Sequence, residues 1–137
     1  MINISFAGKA LLLILGLLFI FHLLVLFGVI PYDIVWAGKI TNRKQLLIME
    51  ALSLLILVMA AMIVSLKMGY LNILQNSAIA NIGMWVLFAL FALNTIGNLT
   101  AKAPIEKYGF GLLTAVMALL ALRLAIAPKI DLKNNSR

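Results

Sequence analysis

The chain has 137 residues, of which 65% are hydrophobic and only 11% charged, whereas a soluble domain ordinarily carries about a quarter charged residues; the expected solvent is lipid. The net charge of +7 sits in short connections and tails, where Lys and Arg anchor helices at anionic headgroups, and no basic face is long enough for nucleic acid to follow. Without cysteine and with one histidine, His22, the chain has no disulfide, thiolate site or multi-histidine metal centre, and neither metal nor cofactor is expected.

Four apolar runs reach the roughly 20 residues that cross a hydrocarbon core as a helix: residues 10–30, 46–66, 78–99 and 109–127. They predict an all-α bundle of four transmembrane helices with short connections, occupying residues 1–137 as one domain with a polar tail at 128–137. The first run is interrupted only by His22. It exceeds the roughly 7–15 apolar residues of a signal peptide and is read as a retained helix. Pro31, followed by Tyr32 and Asp33, is expected to end it, because proline disfavours helix in the residue before it. Tyr32 and Trp36 suit the headgroup level as interfacial anchors.

The second run carries Glu50, Ser53 and Ser65, and an almost uncharged connection from Lys67 to Ser77 follows. The third has Asn81 near its start and Asn94, Thr95 and Asn98 near its end. A connection at 100–108, through Pro104 and Glu106, leads to the fourth run with Thr114 and Arg123.

Helices in lipid pack closely through small residues gathered on one face. Thr114, Ala118, Ala121 and Ala125 form such a face on the fourth helix. On the third, Gly83, Asn94, Gly97 and Asn98 share an arc; on the second, Glu50, Ser53, Leu57, Ala60 and Ala61 do. Arg123 lies about half a turn from the alanine face and is expected to face outward as an interfacial anchor, snorkelling from the helix end.

Four spans put the first and third connections at one end, here side B, and the second connection with both termini at side A. Asp33, Glu50, Glu106, Asn94 and Asn98 belong to the side-B half. At helical rise Glu50 and Asn94 lie roughly 9 and 6 Å from the midplane, with His22 near it. Polar groups at that depth find each other or water. His22, Glu50, Asn94 and Asn98 are therefore expected to face a small hydrated recess, with Asp33, Ser53 and Glu106 as secondary candidates. Each has a plainer alternative. Glu50 is then a first-turn carboxylate reaching the headgroups, His22 a neutral imidazole bonded to a neighbouring helix, and the asparagines interhelical hydrogen-bonding residues. No nucleophile elbow, phosphate loop or His-Glu zinc pattern occurs.

The stretches 22–38 and 94–101, which contain His22, Pro31, Trp36, Asn94 and Asn98, resemble those of small four-helix bacterial integral membrane proteins. That resemblance implies a multi-pass protein of the bacterial cytoplasmic membrane and carries no activity with it. Small multidrug transporters fit less well, since they place a glutamate in the first helix where this chain has His22. The fluoride-channel motif is absent, and Glu50 lacks the neighbouring arginine of the eicosanoid and glutathione membrane enzymes.

The leading expectation is small-solute or ion permeation or transport by a homo-oligomer within the lipid bilayer. A non-catalytic accessory or assembly subunit comes second and a membrane-embedded enzyme third. Orientation does not follow from charge. Lys39, Arg43, Lys44, Lys102 and Lys107 on side B balance Lys9, Lys67, Lys129, Lys133 and Arg137 on side A, with Arg123 the remaining basic residue.

Overall fold

The computed structural model describes residues 2–32, 40–71, 77–101 and 104–128. Among these, four helices follow in order and no strand occurs: α1 (Ile4–Leu26), α2 (Arg43–Lys67), α3 (Ser77–Leu99) and α4 (Gly111–Ala125), the last led in by a π-helical turn, Ile105–Phe110. With that turn included in the fourth, all four are long and apolar enough to cross a membrane.

Asparagine starts the first two helices. The Asn3 side chain accepts from the Ser5 and Phe6 amides, and that of Asn42 from the Gln45 amide at 2.9 Å, satisfying donors that an unpaired first turn leaves open. Glycine ends both. Gly28 and Gly69 each have φ of +76°, a left-handed conformation that only glycine takes without a Cβ penalty. Val29 N–H then bonds Leu24 O at 2.8 Å and Tyr70 N–H bonds Ser65 O at 2.9 Å, the bond of a Schellman stop.

The first helix thus runs from Ile4 to Leu26 rather than over 10–30, and Gly28 stops it before Pro31. The second begins at Arg43 instead of 46. The fourth begins earlier than 109, because Pro104, already helical at φ −57° and ψ −37°, suits the first position of a helix, where its missing N–H costs nothing. Ile105–Tyr108 therefore belong to the span and not to a connection.

The helices form an antiparallel ring in chain order. α3 packs most closely on α4 and α1 on α2, while the α1–α4 and α2–α3 seams are looser. The small face of α4 explains its close approach: Ala118, Ala121 and Ala125 are buried with Gly111. They pack into a core with Leu11, Leu15, Leu57, Met84, Phe91 and Leu124. Of the glycines expected to pack, Gly83 does so, since a Cβ there would meet Ile63 of α2 at 2.8 Å. Gly97 does not; it is exposed with nothing within 4 Å of a built Cβ. Its arc, shared with Asn94, lies toward the exposed side of α3.

At the side-A end, buried Gly8 of α1 lies against buried Met68, just beyond α2. A Cβ at Gly8 would collide with the Met68 sulfur and its flanking carbons. Gly8→Ala should destabilise the bundle by about 1–3 kcal/mol, the usual range for overpacking. Thermal unfolding in detergent micelles measures this, and Met68→Ala, which opens a cavity of its own at a buried position, should cost less in the Gly8→Ala chain than in the unaltered one.

Candidate functional site

Two polar clusters stand at opposite ends of the bundle. At side A, Lys67, the last residue of α2, is only 1% exposed. Its ammonium donates to Asn81 Oδ1 on α3 and to the Ala127 carbonyl just beyond α4. Three helices are tied by one charge, whose second acceptor is a carbonyl that a helix end leaves unpaired. Lys67 is therefore no headgroup lysine and drops out of the interfacial charge count. Close by in the chain, Arg123 is half-buried, and its Nε donates to Ile2 O at 2.7 Å. It is not a purely outward anchor: it links the end of α4 to the start of α1.

At side B the central contact joins α1 and α2. His22 Nδ1 and Glu50 Oε2 lie 2.7 Å apart, with Glu50 fully buried and the His22 side chain 16% exposed. The helix ends explain the match in depth. With α1 centred on Leu15 and α2 on Leu55, His22 lies seven residues past one centre and Glu50 five before the other, about 10 and 8 Å toward side B. His22 is thus deeper into the side-B half than a helix at 10–30 implies. Glu50, eighth residue of its helix and fully buried, does not reach out to headgroups. Phe21 meets the imidazole edge-on, with ring centroids 5.7 Å apart.

In front of this pair lies a cavity of about 320 Å³. Its polar wall consists of His22, Ser53, Asn94, Asn98, Glu106 and Thr114. Leu18, Ile56, Leu90 and Met117, all near the middle of their helices, line its deep end. Beyond them the core described above closes the bundle toward side A. Leu52, Ile56 and Asn94 are exposed as well as lining, so the cavity reaches the outer surface along the loose α2–α3 seam. Glu50 lies behind His22 and does not line the wall.

The π-helical turn sets the fourth wall. Glu106, Phe110, Leu113, Thr114 and Met117 all line the cavity, one face carried through from the wider turn into α4. Such turns are frequent at functional sites.

The wall groups differ in what satisfies them. Thr95 and Thr114 hydroxyls are 3.1 Å apart, and each also reaches a carbonyl of its own helix, Phe91 O and Phe110 O, at 2.8 Å. Asn98 Nδ2 donates to Thr114 Oγ1 at 3.4 Å. Thr114, expected only to pack, is thus the hinge of an α3–α4 hydrogen-bond network. Thr95 joins this network without being among the residues the sequence singles out; it lies three residues before Asn98 and so on the same face of α3. Ser53, Asn94 and Glu106 have no side-chain hydrogen bond or ion pair among the described residues. His22 has none at Nε2. Tyr32 is exposed, while Asp33 and Trp36 lie outside the described residues. No group of three or more metal-ligating side chains occurs among the described residues.

Chemically, this is a one-ended, mostly apolar recess holding a few accessible polar groups. A buried carboxylate is coupled through His22 to its wall, an arrangement that can orient the imidazole and pass or hold a proton. No family model, curated protein or solved structure matches the chain.

Proposed function

We propose that the chain is a multi-pass protein of a bacterial cytoplasmic membrane that binds and moves a small solute, with the side-B recess as its binding site. The observation that carries this reading is a cavity whose wall groups Ser53, Asn94 and Glu106 have no protein partner among the described residues. Polar groups facing an apolar medium need partners, and a purely structural network would bond them to one another, as Thr95, Asn98 and Thr114 do. About 320 Å³ is at the small end of ligand pockets, which span roughly 300–1,000 Å³. Apolar closure below the recess supports a mechanism in which the solute is held at one end before the far end opens. It does not support a standing pore through one copy. A homo-oligomer remains part of this proposal.

Reconstituted liposomes test it. Uptake of benzyltrimethylammonium, glycerol and benzenesulfonate is compared with that of protein-free liposomes; at least one should enter faster, and Glu50→Gln should remove that excess while leaving helix content unchanged. Equal uptake of all three with and without protein would sink transport and favour an accessory role. One feature favours a second reading, a membrane-embedded enzyme: the recess opens sideways at the α2–α3 seam with His22 in its wall and the Glu50 carboxylate behind the imidazole, the pattern of a general base. Recovery of a covalently altered solute would support it.

A further inference from the structure

We propose that the recess selects a small organic ammonium carrying an aromatic or aliphatic body, with Glu106 as its counter-ion. This rests on the reading of the recess as a binding site and names the class of molecule that fits it.

Charge comes first. The chain has an excess of seven positive charges, yet among the described residues no Lys or Arg lines the cavity. Both carboxylates among the described residues are gathered here, Glu106 on the wall and Glu50 directly behind His22. Among the described residues, an anion would meet the Glu106 carboxylate with no lysine or arginine on the wall to offset it, and with His22 already held by Glu50. In a medium of low dielectric, like charges at such range repel strongly. The neighbouring Lys107 does not neutralise the site; its ammonium stands 5.7 Å from the Tyr108 ring centroid, and it does not line the cavity.

Hydrogen bonding points the same way. An ionised Glu106 carboxylate only accepts, Ser53 Oγ and the Asn94 amide oxygen can accept beside it although both side chains also donate, and an ammonium group offers three donors and no acceptor. Contacts from a charged donor to a carboxylate are the stronger kind. The rest of the wall is apolar and aromatic. Phe21 and Phe110 lie with centroids 5.6 Å apart, tilted at 57°, and Phe91 lines the α3 side. Aromatic faces attract cations and accommodate an apolar body. A bare metal ion fits poorly, because hard cations demand six or more oxygen ligands and this wall is mostly carbon. A sugar would leave most of its hydroxyls facing Leu18, Leu90 and Met117.

Equilibrium dialysis against lipid nanodiscs, with empty nanodiscs as the partition control, tests the inference with three probes of one shape: phenethylammonium, 2-phenylethanol and 3-phenylpropanoate. The ammonium should bind about tenfold or more tightly than either of the others. Glu106→Gln should cut its affinity about tenfold, leaving 2-phenylethanol unchanged, and Glu106→Asp should keep the preference; circular dichroism checks the fold of each variant. Should Glu106→Gln fail to fold, the preference in the unaltered chain and in Glu106→Asp decides the matter. Equal or tighter binding of the alcohol or carboxylate would overturn the inference, as would full ammonium affinity in folded Glu106→Gln, or no probe bound above empty nanodiscs. The transport reading fails separately. Uptake of glycerol or benzenesulfonate without ammonium binding would defeat the selectivity alone, and ammonium binding without uptake would defeat transport alone.

Discussion

Replacing Lys67 by methionine should lower the stability of the bundle by about 2–4 kcal/mol, since each buried group left without its partner costs about 1–3 kcal/mol. The two side chains have similar length and methionine fills the same space, so packing contributes little to the change. What is lost is the donor shared by Asn81 Oδ1 and the Ala127 carbonyl, in a place where Lys67 is 1% exposed. Relief of the buried ammonium's own desolvation offsets part of the cost, because a buried charge is never free. Adding Asn81→Leu to Lys67→Met should therefore restore up to about half of the lost stability, since the more deeply buried Ala127 carbonyl then remains unpaired. Unfolding in detergent by heat or denaturing surfactant measures all three variants. A silent Lys67→Met would mean that the ammonium spends its time in the headgroups.

Lys67 also shows where reading the sequence reaches its limit. Four helices follow from length and hydropathy alone, since only runs of about 20 apolar residues can span a bilayer. Their ends depend on finer signals. Hydropathy carries the first run through Phe27, Val29 and Ile30, whereas the chain leaves the helix at Gly28, where a left-handed residue outweighs continued apolarity. Helical period places Glu50 among Leu57 and Ala60, and all three are buried. By contrast, only the side-A end of α1 marks its inward face, through Ala7 and Gly8, while the large residues around His22 do not. The pairing of His22 with Glu50 is accordingly a tertiary fact. Glu106 reads as connection because a proline precedes it, yet that proline opens a helix and brings Glu106 into the wall beside Phe110 of the fourth run. The burial of Lys67 depends on the carbonyl at the far end of α4, 60 residues away in sequence, which no local pattern announces. Thr95 and Thr114 look alike in sequence to any helix-packing threonine; their hydrogen bond exists because the small face of α4 lets α3 approach.

The largest effect expected is that of His22→Leu, a loss of about 3–5 kcal/mol, the usual cost of breaking a buried ion pair from one side and leaving the other charge buried. Glu50 is fully buried and holds His22 Nδ1 at 2.7 Å, and it makes a further interaction besides this one. His22 is partly exposed to the cavity and can turn to water or solute when its partner is gone. Glu50→Leu should therefore cost less, about 1–3 kcal/mol, the penalty of a polar partner left unsatisfied. The double variant His22→Leu/Glu50→Leu should be more stable than the sum of the single losses by about 1 kcal/mol or more, because neighbours within one network are not additive. Function separates the remaining possibilities. If the pair exists to hold α1 against α2, the double variant, once folded, should still take up whichever solute the unaltered chain admits. If the pair serves the recess, uptake should be lost in the double variant and in Glu50→Gln alike, although Glu50→Gln keeps the size and one acceptor of the glutamate and should unfold at nearly the unaltered temperature. Retained uptake in a folded Glu50→Gln would reduce His22 and Glu50 to a clamp between two helices, with the accessible groups Ser53, Asn94 and Glu106 left as the whole of the site.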